Sequence, residues 1–252
     1  MAGSVWAAGS ASAIPAERLR VRHSALVRIT HWLTAIAFIA LAITGGEIVI
    51  SHPRFYWGEA GNVLTPPLFA LPIPASRSTV PTGYGYVMPD QNGWSRYLHF
   101  EAAWLLVIAA LLYGIYGVVS GHFRRNLLPR RADLSAKSFA GVIAGHLRLG
   151  RREQADASSY NVLQRFSYLG VIFVLFPLVI WTGLAMSPAV AGAFPGLVSV
   201  LGGQQSARTI HFFVSLLLGG FLIVHLAMIA ISGFGGRMRA MITGRDGAAV
   251  ED

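Results

Sequence analysis

The sequence predicts an all-α integral membrane protein, a bundle of four transmembrane helices with both termini in the cytoplasm. Three observations lead there. Hydrophobic residues make up 54% of the 252 positions and charged residues only 12%, at a mean hydropathy of +0.55, where a soluble domain carries about a quarter charged residues. The apolar residues gather into four runs, each long enough at about 1.5 Å per residue to cross roughly 30 Å of hydrocarbon. Lysine and arginine are distributed unevenly between the segments that join these runs.

Residues 1–24 are rich in small side chains and lack both a basic n-region and an apolar core of adequate length. They read as a short cytoplasmic tail rather than a signal peptide. The first span, 25–50, is ALVRITHWLTAIAFIALAITGGEIVI. Residues 51–95 include PPLFALPIPASRSTVPTGYGYVMPD, too broken for a helix and too long for a plain connector, and are expected to form a structured external loop. The second span covers 96–121. The basic segment 122–161 follows, carrying HFRRNLLPRR, Lys137 and RLGRRE. The third span, 162–187, contains Pro177, which should kink it without ending it, because neighbouring helices can satisfy the freed carbonyl. Residues 188–206 hold no Lys or Arg. The fourth span covers 207–233, so 25–244 form one four-helix unit, and 245–252 are a C-terminal tail.

Sixteen of the 20 basic residues lie in the N-terminal tail and first-span mouth, the second loop as far as Arg165, and the C-terminal tail. Only Arg54, Arg77, Arg96 and Arg208 lie on the other side. This asymmetry puts both termini in the cytoplasm. The net charge of +9 is then a topology signal, and its position beside the spans favours lipid headgroups over nucleic acid as its contact. The absence of cysteine excludes disulfides, zinc ribbons, iron–sulfur clusters and covalently attached c-type haem.

Four of the eight histidines fall within spans: His31, His99, His211 and His225. An ionisable group in hydrocarbon costs several kcal/mol unless paired or ligated. One such histidine has an ordinary explanation, neutral and hydrogen-bonded between helices; four at matched depths ask for more. His211 and His225 are 14 residues apart on one helix, close to four full turns, so they share a face at a separation of roughly 21 Å. Chain direction puts His99 at the depth of His211, on the outer side, and His31 at the depth of His225, on the inner side. Two imidazoles from different helices at one level can supply both axial ligands of a haem iron. Zinc fits less well, because neither level offers four ligands.

The shape R-x-x-H recurs as Arg28–His31, Arg96–His99 and Arg208–His211, with no internal repeat apparent beyond it. At i and i+3 the two side chains share a helix face, with the arginine nearer the membrane edge. Arginine stays charged and grips carboxylates in bidentate fashion. Arg96 and Arg208 are therefore expected to meet the propionates of an outer haem and Arg28 those of an inner one, unless they only mark the interface by snorkelling. Gly45-Gly46, Gly114, Gly117 and Gly219-Gly220 serve either a flat macrocycle or close helix packing. His23, His52 and His146 are assigned to loops or interfaces without chemistry.

With these residues placed, the chain resembles the bacterial di-haem cytochrome b family, which includes membrane subunits of nickel–iron hydrogenases, formate dehydrogenases and thiosulfate reductases and the cytochrome b561-type proteins. The matching features are R-x-x-H-W with a following T-G (Arg28, His31, Trp32, Thr44, Gly45) and R-x-x-H at the second span. Further matches are YNVLQRFSYLG with Thr182-Gly183 in the third span, and R-x-x-H-x13-H in the fourth. The similarity runs over about 25–244. It implies two haems b, the four histidines as iron ligands, no catalytic side chain acting on an organic substrate, and residence in the bacterial inner membrane. It further implies electron exchange between a periplasmic redox subunit (hydrogenase, molybdenum enzyme or cytochrome) and the quinone pool. The quinone is expected near the inner haem, beside His225, with Asn161, Gln164 and His122 as neighbours. The long 51–95 loop departs from the small family members and suits either partner docking or capping of the outer haem. Two other readings stand beside this one. The first is a free-standing b-type oxidoreductase that passes electrons between quinol and a small acceptor such as superoxide. The second is a histidine-lined transporter, which the apolar midplane segments AIAFIALA and LLVIAALL oppose.

Overall fold

Small residues at a spacing of seven decide how the first two helices meet. In the computed structural model, which describes residues 24–62, 64–72, 91–128, 162–231 and 233–244 (without the side chains of 91–93, 126 and 162–165), the first span is one helix, Ala25–Ser51. Its buried residues are Thr30, Ala37, Thr44 and Ser51, while Ile29, Ile36 and Ile43 one position earlier are exposed. A seven-residue interval is nearly two helical turns, so one stripe faces a neighbour and the adjacent stripe faces lipid. The second span, Gln91–Val119, buries Ser95, Ala102 and Ala109 at the same interval. These two helices pack on each other along their length, as small side chains permit in a solvent that gives no hydrophobic drive between helices.

The third span is helical over Val162–Gly170, π-helical over Val171–Leu175 and helical again over Phe176–Met186. The Phe176 amide bonds back five residues to the Val171 carbonyl. Pro177 follows at once, and a widened turn is one way a helix accommodates the amide that proline lacks. The fourth span, Gln204–Ile231, packs against the third around Val171, Val179, Val214 and Leu218, with Phe38 of the first span touching that cluster. The result is two helix hairpins. Among the described residues, neither span of the first hairpin packs backbone to backbone along a span of the second.

At one end, called here the loop end, a two-residue antiparallel ladder pairs β1 (Arg54–Phe55) with β2 (Phe69–Ala70). Phe55 stacks on Phe69 at 4.7 Å and meets Phe212 at 4.4 Å. The loop then ties itself to the start of the fourth span. The Gly58 amide donates to Ser206 Oγ at 2.8 Å, the Gln205 amide to the Gly58 carbonyl at 3.0 Å, and Thr209 Oγ1 to the Tyr56 carbonyl at 2.7 Å. The Gln204 amide reaches the Glu59 carboxylate at 3.2 Å, so amides that the helix itself cannot satisfy find acceptors, one of them anionic. Gly203 has φ +112°, and a Cβ there would lie 2.6 Å from the Gly58 carbonyl.

The chain departs from the sequence expectations most clearly in three places. The second helix begins at Gln91, five positions before 96. The third contains the π turn. A further helix, Phe234–Thr243, follows Gly233, where no separate element was expected. Its C-terminal carbonyls are capped from the first span: Arg28 Nη1 donates to the Ile242 carbonyl at 2.5 Å and Trp32 Nε1 to the Met241 carbonyl at 3.2 Å. This capping marks the other, terminal end of the bundle.

Candidate functional site

The space between the hairpins is crossed by two pairs of histidine rings. Toward the loop end, His99 of the second span and His211 of the fourth have ring centres 6.3 Å apart. Toward the terminal end, His31 of the first span and His225 of the fourth have ring centres 6.5 Å apart. The uninterrupted helix between His211 and His225 separates the two levels by roughly 21 Å.

The loop-end pair is held by matched devices. Thr44 Oγ1 lies 2.9 Å from His99 Nδ1, and Thr182 Oγ1 lies 2.9 Å from His211 Nδ1. A Cβ on Gly45 would sit 3.5 Å from His99 Cε1, and one on Gly183 the same distance from His211 Cε1. The threonine–glycine step is thus repeated, one per hairpin, which corrects the expectation that R-x-x-H is the sole repeat. The terminal-end pair has aromatic neighbours. Trp32 meets His31 edge-on at 5.3 Å, and Phe221 stacks on His225 at 5.7 Å.

The arginines follow their histidines outward. Arg96 Nη2 donates to His52 Nε2 at 3.3 Å, and Arg208 Nη2 donates to the His52 carbonyl while its guanidinium lies 5.0 Å above the Phe55 ring. Two guanidinium groups from different hairpins therefore converge on His52, which the sequence alone assigns to a loop or interface without chemistry. Burial, then the charges of Arg96 and Arg208, hold its pKa below the ordinary 6.5. Arg28 stands apart from them, engaged with the C-terminal helix, its buried Nε without a hydrogen-bond partner. Beside it opens a groove of about 380 Å³ lined by Arg28, Trp32, Ile36 and Met241 among others. His122 packs with Tyr113 at 6.0 Å and Tyr116 at 5.8 Å, and burial followed by Arg125 lowers its pKa. Gly117 faces the Phe123 ring, a packing role. Asn161, His23 and His146 lie outside the described residues, as does the side chain of Gln164.

A haem fits this donor set. A metal–nitrogen bond of about 2 Å on each side, with about 1 Å more to each ring centre, separates two axial imidazoles by about 6 Å. Both ring pairs stand near that separation. Among the described residues no group of three or more His, Cys, Asp or Glu gathers as a metal cage, so a metal here needs equatorial ligands of its own, as a porphyrin provides.

Residues 22–244 match the family described as prokaryotic cytochrome b561. The chain is 32% identical over 214 residues to a protein of Azospira oryzae named as a YedZ-type subunit of a protein-methionine-sulfoxide reductase, covering 83% of this chain and 90% of that relative. It is 26% identical over 214 residues to a protein of Cupriavidus necator named as an Ni/Fe-hydrogenase B-type cytochrome subunit, covering 81% and 76%. No solved structure matches the chain.

Proposed function

Because the chain belongs to the prokaryotic cytochrome b561 family, we propose that it holds two haems b and carries electrons between a periplasmic redox partner and the membrane quinone pool. Membership itself makes it a b-haem subunit that crosses the bacterial inner membrane several times. The observation that carries the proposal is the existence of two ring pairs, 6.3 and 6.5 Å apart, at two levels of one bundle. Bound haem iron supplies reversible one-electron chemistry at each level.

The protein's own contribution is to hold, orient and insulate. His99 and His211 would ligate one iron, and His31 and His225 the other. Arg96 and Arg208, joined by His52, would receive the propionates at the loop end, and Arg28 those at the terminal end, since each stays charged at the membrane edge. Apolar side chains such as Val214 and Leu218, buried between the levels, keep water out of the path. Sidedness of Lys and Arg supports a periplasmic loop end and a cytoplasmic terminal end.

On the periplasmic side, Trp57, Leu64, Leu68, Phe194 and Val200 are exposed outside the spans, a surface suited to a docked partner. Both relatives are named as subunits of redox complexes, which supports the same reading. On the cytoplasmic side, the groove beside Trp32 is apolar with Arg28 at its rim, fitting a quinone ring and tail. His122, Asn161 and Gln164 are the polar candidates on the second-loop side. The test is a dithionite-reduced minus oxidised spectrum of the purified chain with a pyridine haemochrome count. Two haems per chain are expected, one lost in His99→Ala and the other in His225→Ala. A single haem would break one pair, and none, from a haem-sufficient host, would end the proposal.

A further inference from the structure

A hydroxyl group has one proton to give. Thr44 Oγ1 donates its proton to its own helix, lying 2.7 Å from the Ala40 carbonyl, and Thr182 Oγ1 lies 2.8 Å from the Leu178 carbonyl. Each oxygen can then only accept from the imidazole 2.9 Å away. With the hydroxyl proton so placed, that bond takes its proton from the ring, which in a neutral imidazole puts it on Nδ1 of His99 and of His211 and leaves Nε2 its lone pair. Both threonines are buried, at 0% exposure, so water does not compete for either bond. The adjoining glycines let each ring lie in ordinary contact with the neighbouring helix.

We infer that Thr44 and Thr182 are positioning residues that fix the Nδ1–H tautomer of His99 and His211 and present Nε2 to the loop-end iron. The inference rests on the haem reading for the iron, but not for the tautomer. A donor-to-threonine bond at Nδ1 does more than orient the ring: it makes the imidazole more basic, which favours the oxidised metal and lowers its reduction potential. The device is built once per hairpin, with the Val179 backbone as a further hydrogen-bond partner of the His211 ring, so the loop-end site is supported from both halves.

Two measurements on the full-length chain test this. Optical redox titration with low-temperature electron paramagnetic resonance compares wild type, Thr44→Val, Thr182→Val and the serine counterparts. The valine variants should raise one midpoint potential and move one ferric low-spin signal, leaving the other haem unchanged, and serine should restore both. Loss of one haem in a valine variant, restored by serine, is also expected of a positioning residue. Unchanged potentials and signals at full haem content would overturn the inference, and so would a loss that serine fails to restore. The second measurement is the ¹⁵N resonance of the histidine rings in the haem-free chain. Two Nδ1–H tautomers that become mixed in the valine variants support the inference, whereas Nε2–H rings in wild type overturn it. A wild-type chain that binds no haem but shows the Nδ1–H tautomers would refute the haem reading and leave the threonine contacts standing.

Discussion

At the scale of single residues, His52 acquires its surroundings from contacts 44 and 156 positions away in sequence. Its lowered pKa has a thermodynamic consequence. The unfolded chain takes up a proton near the ordinary 6.5, whereas the folded chain resists it until lower pH. His52 therefore contributes stability that is present above that value and is lost as pH falls through the depressed one. The haem-free chain in detergent should lose more thermal stability from about pH 7 to about pH 5 than His52→Asn does; identical slopes would exclude the effect. The sequence disclosed the depths of the four histidines, because helical rise is nearly constant and lipid forbids stray charge. It did not disclose what touches His52 or what Thr44 and Thr182 do, because those depend on how helices rotate about their axes. The recurrence of Thr-Gly was a visible signal for the threonines; nothing local marked His52.

At the scale of elements, the loop between the first two spans is fastened where Gly203 passes Gly58. Gly203→Ala puts a side chain into a left-handed backbone and against the Gly58 carbonyl, at a cost of about 1–3 kcal/mol. The expected result is a lower unfolding temperature and faster tryptic cleavage at Arg54, read by mass spectrometry; unaltered cleavage would mean the loop is held elsewhere. The existence of the four spans was readable because each must satisfy its own backbone in lipid. The π turn was not, since no residue type specifies it, although Pro177 announces a disturbance. The C-terminal helix was missed because Gly235-Gly236 weaken its local signal, while its docking comes from Arg28 and Trp32, more than 200 positions earlier.

At the scale of the whole molecule, charge sets orientation. Green fluorescent protein fused after residue 252 should fluoresce, and alkaline phosphatase inserted near Leu64 should be active, as the cytoplasmic and periplasmic assignments require. The opposite pattern would reverse the sides of both histidine pairs and of the groove beside Trp32. Fold class was the most legible property of this chain because the bilayer leaves few alternatives. The arrangement of two hairpins, each closed on itself, was not legible, since apolar stripes alone do not name their partners.

That arrangement bears on how the protein is made. Each hairpin satisfies its own backbone and can enter the membrane as a finished unit, whereas the halves meet through a few ring pairs, the Phe38 contact, the loop-end tie and the Arg28 and Trp32 bonds to the C-terminal helix. On the proposed reading, cofactor binding adds its free energy to the closure of the two halves. Haem supply then becomes an assembly checkpoint. A chain synthesised during scarcity would remain inserted, its halves held only by the protein's own contacts and so less firmly closed.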